Sequence, residues 1–426
     1  MPGTIAFPTI VEQAVEEFGG LFANEPQRKH FGEYLTGLLI AERKSVNGIN
    51  SEFAQTTDQS CLNRWMSEID WSGEDLNQMR LAWTQKQPDM RYSQQGVIPI
   101  DNVLVEHSGK LIVDAGLYWD HADKRHMIAQ DYLIANYVCT SGKHFALDFR
   151  RFRKAEDCEL ARTYLEEQPG GFAAANSHDQ AIATFKTHTQ LCNELVDEVV
   201  AQNIPGSFAF DSYFTCADIL NHINELDRVY VGDLKANRKV IFKGQEMSMS
   251  GLAHSIPPDS RKPVEMGGRK QWYLTVSIRI PDVNHKVRVA ILWRNKSDPE
   301  PAKILITNRV IWEITRILGV YRNRWTGTET LHRDGKQELG MGECQLRSGE
   351  GQTRHMYLVL LAHTLLMAQL RQGRSSHWAH ATLNTIGEAC RAALRESLGK
   401  TIDWAISKAT DDGWKPDRIK THLALI

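Results

Sequence analysis

Three carboxylates stand where a carboxylate is costly to keep. Asp101 follows "GVIPI" and precedes "NVLV", Asp211 lies in "FAFDSYF", and Glu329 sits in "YRNRWTGTETLHRDGK", residues 321–336. An ionised carboxyl among apolar residues persists only when it is paired, hydrogen-bonded or bound to a cation. Two aspartates at the ends of hydrophobic strands and a glutamate at the start of a helix, drawn together by the fold, would make an all-oxygen site. Such a site suits Mg²⁺ or Mn²⁺. Two such ions activate a water or hydroxyl and steady the leaving oxygen in phosphoryl transfer.

The neighbours of Glu329 fit that chemistry. Arg322, Arg324 and Lys336 offer cations for the charge that in-line attack places on phosphate oxygens. Tyr321 and Trp325 would contact DNA or stack a displaced base. Lys336 follows Glu329 by seven residues, which on a helix brings both to one face.

Each residue also has a plainer reading. Asp101 can cap a strand end, with Asp114, Asp120 and Asp123 as competing acids, and Asp211 can cap a helix that begins near Thr215. Glu329 can pair with Arg333 at i,i+4 on a solvated face, and Trp325 can pack into a core. The order of the three acids and the elements that carry them favour the shared site. Other chemistries have less support. There is no P-loop, HExxH or GxSxG, and the sixteen histidines form no tight ligand pair. Seven scattered cysteines without a C-x-x-C pair argue against a disulfide framework and a structural zinc site.

The net charge of −2 excludes a globally basic nucleic-acid binder, so phosphate contact would fall to local clusters. These are "RRFRK" (150–154), "KANRK" (235–239) and "YRNRW" (321–325). In the second, Lys235, Arg238 and Lys239 would track a DNA backbone. The chain is 42% hydrophobic and 24% charged, with a mean hydropathy of −0.39. That composition is of a soluble globular protein, and no apolar run is long enough to span a bilayer. A cytoplasmic location is the expectation.

The elements that must position these residues follow from periodicity. Residues 6–88 carry apolar side chains at helical spacing, and "SVNGINSEFAQTTDQSCLNRWMSEIDW" (45–71) reads as two short helices about a turn, either a DNA-reading helix pair or a bundle corner. After Gly96 the texture turns to strands, in "VIPIDNVLVEH", "KLIVDAGLYWDH" and "DYLIANYVCTSGKHFALDFRRF". A polar loop over 165–180, a long amphipathic helix over 180–203, a strand over 207–214, a helix and a strand follow. Strands return over 236–308, and helices then run to the C-terminus, with "TNRVIWEITRILGVYRNRW" and "TETLHRDGKQELGM" as separate helices. The fold class is α+β or α/β on a mixed sheet.

On these residues the chain resembles bacterial insertion-sequence transposases with a DDE triad on a ribonuclease H-like core, of the group with a β-rich insertion before the glutamate. "VIPIDNVLVEHSGK", "FAFDSYFTCADIL…VYVGDLKANRKV" and "YRNRWTGTETLHRDGKQELGM…QLRS" are similar to the blocks around the two aspartates and to the family's Tyr-Arg-Glu-Lys signature. The resemblance implies that Asp101, Asp211 and Glu329 are the catalytic, metal-holding triad, with Tyr321, Arg324 and Lys336 accompanying them. One residue more than the signature has stands between Arg324 and Glu329, which leaves Arg322 as an alternative to Arg324.

Further expectations follow from the resemblance. They are a helical DNA-binding region (1–95), a catalytic core in two parts (96–235 and 309–375), a β-rich insertion (236–308) and C-terminal helices (376–426). The activity would be Mg²⁺-dependent cleavage of double-stranded DNA at element ends with strand transfer into a target, by a homodimer on DNA in the bacterial nucleoid. The alternatives are a relative that binds DNA without cutting and a metal-dependent nuclease without strand transfer.

Overall fold

The computed structural model describes residues 3–55, 58–109, 111–120, 123–175, 180, 183–371 and 378–423. Helices α1 (Thr9–Phe18), α2 (Glu25–Ile40), α3 (Val46–Asn50), α4 (Gln59–Ser67) and α5 (Gly73–Lys86) come first. Strands β1 (Val97–Glu106), β2 (Gly116–Asp120), β3 (Arg125–Val138) and β4 (His144–Phe152) follow, then α6 (Ala155–Glu167), α7 (Gly171–Ala174) and α8 (His188–Ala201). Next are β5 (Ser207–Phe210), α9 (Ala217–Glu225), β6 (Val229–Asp233), β7 (Lys239–Phe242), β8 (Gln245–Ser248) and α10 (Met249–His254). Strands β9 (Lys262–Met266), β10 (Arg269–Ile278), β11 (Val287–Trp293) and β12 (Lys303–Thr307) precede α11 (Ile314–Gln337), α12 (Gly349–Gln369), α13 (Ile386–Thr410) and α14 (Pro416–His422).

The chain divides into two compact units. The first comprises Met1–Arg91, Leu104–Asp131 and Leu331–Ile426. Its helices close on an aromatic cluster in which Trp65 and Trp71 stack with ring centres 5.0 Å apart, flanked by Phe22 and Tyr34. Helix α12 is buried on every side, so its polar residues must be satisfied internally. Arg354 donates to the carbonyls of Met66 and Trp71, and Arg80 to Asn77 and Thr364. Asp58, in "TTDQS", caps α4 by accepting from the Ser60 amide at 2.8 Å; Thr56 and Thr57 lie outside the described residues. Among the described residues no helix is long and apolar enough to cross a membrane.

The second unit comprises Tyr92–Val103 and Tyr132–Thr330. Its sheet runs β4–β3–β1–β5–β6–β12–β11–β10–β9. Strands β1, β5 and β6 are mutually parallel, and β6 and β9–β12 pair antiparallel. The order β4–β3–β1–β5–β6 with its parallel trio is that of a mixed α/β, ribonuclease H-like core. Strands β9–β12 extend the same sheet. Val97, Ala209, Val231, Ala290 and Leu305 form an apolar surface, against which Ile314, Ile317 and Leu318 of α11 pack.

Local structure departs from sequence expectation at four places. The stretch 165–180 begins inside α6, and its residues 176–179 lie outside the described residues. Helix α8 starts at His188 rather than near 180, because Thr187 and Gln190 form a reciprocal capping box. Strand β5 stops at Phe210 rather than 214, since the Asp211 side chain accepts from the amides of Tyr213 and Phe214 and turns the chain.

Finally, α11 is one helix where two were expected, so Glu329 lies well inside it and not at a helix start. Gly327 explains the continuity. A Cβ there would come within 2.6 Å of Val138 Cγ2 and 2.7 Å of Pro99 Cγ. The glycine marks a close helix–strand crossing rather than a helix end.

Candidate active site

The parallel register of β1 on β5 aligns Pro99 with Ala209; Asp101 stands two residues further along β1, and Asp211 directly follows the end of β5. Side chains two apart on a strand share a face, so the Asp101 carboxylate projects toward the same side as Pro99, the side that α11 covers. The Asp101 side chain is only 14% exposed, and Arg324 of α11 donates to its Oδ2 at 2.8 Å. The Asp101 carboxyl is pushed up to about 7, first by burial and next by the charge of Asp211. Arg324 and the Asn102 amide pull it back, and Glu329 adds a smaller upward push. Asp101 therefore senses the charges of both Asp211 and Glu329, and Arg324 is the cation bonded to it.

Asp211 is oriented by its own turn. Its Oδ1 accepts from Tyr213 N at 2.8 Å and Phe214 N at 3.1 Å, while its carbonyl accepts from Thr215 Oγ1 at 2.6 Å. The helix-cap alternative for this residue is displaced along the chain, because Cys216 is the N-cap of α9. Glu329 is exposed, and Arg333 pairs with Asp334 at 3.1 Å.

The remaining residues of the signature divide. Arg324, not Arg322, reaches Asp101; Arg322 is exposed and lies beside the β9–β10 turn at Gly267. Trp325 is 61% exposed, so the core-packing alternative does not describe it. Tyr321 is half-buried against the apolar cluster, and its hydroxyl donates to Asp233 Oδ2 at 3.4 Å. Lys336, two turns beyond Glu329, belongs to the first unit. There Arg125 chiefly holds the Glu106 carboxyl low, with Lys336 a minor contributor.

Sequence reasoning missed Asp233 and Lys303. They pair at 2.9 Å at the ends of β6 and β12, and Lys303 also lies over the Tyr321 ring, 5.3 Å from its centre. The signal was available, since Asp233 is an acid closing the apolar strand "VYVG". Lys235, Arg238 and Lys239 follow β6 and line a cavity beside the Asp211 turn.

A divalent cation fits the donor set in part. Asp101, poorly solvated and raised by the charge of Asp211, is in the arrangement a cation relieves, and all donors are oxygens. Among the described residues, however, no three His, Cys, Asp or Glu side chains are gathered closely enough to enclose an ion unaided.

Comparison with known families settles the class. Residues 17–272 match the family described as DDE superfamily endonuclease, more than half of the chain. The chain belongs to the DDE superfamily of endonucleases. The match takes in Asp101 and Asp211 and ends before Glu329. No curated protein matches the chain.

Proposed function

We propose that this DDE-superfamily endonuclease is a transposase that cuts DNA at the ends of a mobile element and joins them to a target. The observation that carries the reading is that Asp101 on β1 and Asp211 at the end of the neighbouring parallel strand β5 come together, with Asp101 within electrostatic reach of Glu329 and bonded to Arg324. Asp101, Asp211 and Glu329 would hold Mg²⁺, with Mn²⁺ as a substitute. When bound, these cations lower the pKa of water and offset charge on the leaving oxygen. The chain's own residues do the rest.

Arg324 neutralises the crowded carboxylates and offers its remaining N–H groups to a phosphate oxygen. Exposed Trp325 and Arg322 face the DNA as contact residues. Water is the nucleophile for cleavage, and the freed 3′ hydroxyl is the nucleophile for joining, so one site serves both steps. The helices of residues 1–95 bind the element's ends, and a homodimer forms on DNA because two ends must be held together. The protein would work on the nucleoid.

The test is a plasmid carrying the flanking element, incubated with the protein and Mg²⁺, with products resolved by end labelling and the complex by size. Joined products from a complex containing two protein copies are expected. Cleavage without joining would leave a nuclease, and binding without cleavage a DNA-binding regulator. Either outcome overturns the transposase reading.

A further inference from the structure

A cavity of about 400 Å³ opens one residue after Asp211, lined by Tyr213, Cys216, Lys235, Arg238, Lys239 and Asp282 among others. That volume falls in the range of small-molecule sites and is too small for a duplex. We propose that this cavity binds a single unstacked nucleotide of the DNA strand, its phosphate held by Lys235, Arg238 and the N-terminus of α9 and its base lying on Tyr213. The inference rests on the DNA-processing reading above, because it takes the ligand to be part of the strand that Asp211 acts on.

Four observations converge on this ligand. Lys235 and Arg238 are in no ion pair among the described residues, whereas Lys239 is engaged with Glu246 at 3.1 Å. Two cations in a recess are therefore left for an anion, opposed by Asp282 alone among the lining residues.

The cavity also contains Cys216, the N-cap of α9, whose side chain makes no capping bond. The first amides of this nine-residue helix consequently have no side-chain acceptor, and they point where a phosphate is favoured. Asp218 in the first turn offsets part of that field.

Tyr213 supplies the apolar wall. It is 57% exposed, and its hydroxyl meets His188 Nδ1 at 3.4 Å. Its amide is held by Asp211 at 2.8 Å, and Phe214 meets it edge-on at 5.0 Å. An exposed ring beside two cations suits base stacking with phosphate contact. The single turn that orients Asp211 also places Tyr213, so a nucleotide in the cavity would sit next to the phosphate being cut.

The full-length protein is titrated calorimetrically with a 5′-phosphorylated thymidine dinucleotide, with unphosphorylated thymidine and with inorganic phosphate. The account expects the dinucleotide to bind, and each of the others to bind at least about tenfold more weakly. Lys235→Glu combined with Arg238→Glu should weaken the dinucleotide about tenfold or more, and Tyr213→Ala should weaken it while leaving inorganic phosphate unchanged. Lys235 is exposed, and folding of each variant is checked by circular dichroism.

Lys235→Gln with Arg238→Gln removes charge without reversing it and should give an intermediate loss. Dinucleotide affinity equal in wild type and in both charge variants would overturn the proposal, as would no binding to wild type. Glu329→Gln separates this inference from the catalytic one. It should bind the dinucleotide like wild type, and its failure to cut DNA speaks only to catalysis.

Discussion

Asp101 is held in a state that a bare protein tolerates poorly. Burial and the neighbouring Asp211 push its carboxyl up to about 7, and one guanidinium offsets that only in part. On the proposed reading, a proton and a divalent cation would compete for the same oxygens. Mg²⁺ affinity, followed by titration calorimetry, is expected to fall as pH drops below about 7, by up to about tenfold per pH unit for one displaced proton. The Asp101→Asn protein should lose most of the affinity together with this pH dependence. A wild-type affinity flat from pH 8 to 6 would mean that Asp101 does not hold the ion.

At the scale of elements, α11 and α12 each rest on one detail. Gly327 lets α11 cross Pro99 and Val138 closely, so Gly327→Ala sets two opposed effects against each other. Alanine favours a helix over glycine by about 1 kcal/mol, while overpacking costs about 1–3 kcal/mol. Because the new Cβ would lie 2.6 Å from Val138, the clash should win, and urea unfolding should show a net loss. A variant more stable than wild type would show that the crossing is loose.

In α12, His355 is fully buried, donating to the Gly340 carbonyl at 3.0 Å and accepting from the Tyr34 hydroxyl at 2.9 Å. Burial lowers its pKa from 6.5 to about 4, with the Gly340 carbonyl opposing. Above pH 6.5 both folded and unfolded forms are neutral, and the histidine adds no pH dependence. As pH falls from 6.5 toward 4 the unfolded chain takes up a proton that the fold excludes, and about 3 kcal/mol of stability is lost. Denaturant melts at pH 7 and pH 4.5 should show this, and His355→Gln should reduce the difference.

Across the whole molecule, the sequence was most legible where burial and chemistry agreed. Strand β1 announced Asp101 by placing an acid inside an apolar run, and "SFAF" likewise announced β5, though not that Asp211 ends it. The helical beginning, the change of texture near Gly96 and the strands of 236–308 were equally visible as shifts of periodicity.

What stayed hidden depended on tertiary contact. Nothing in "WTGT" tells that Gly327 serves a crossing rather than a break, so one helix read as two. The choice between Arg324 and Arg322 required knowing which face of α11 meets β1. Lys303 was invisible as a site residue, because its partner Asp233 is 70 positions away in sequence. The continuity of β9–β12 with the central sheet was hidden for the same reason, since pairing between distant strands leaves no local pattern.

The most direct measurement compares wild type, Asp101→Asn, Asp211→Asn and Glu329→Gln on one DNA substrate, recording binding by mobility shift and cleavage with Mg²⁺ in parallel. The account predicts that all four bind within a few-fold of one another, while each variant cuts at least about a thousandfold more slowly, equivalent to roughly 4 kcal/mol of lost transition-state stabilisation. A variant that binds and cuts like wild type would contradict the assignment of these three carboxylates as one catalytic site.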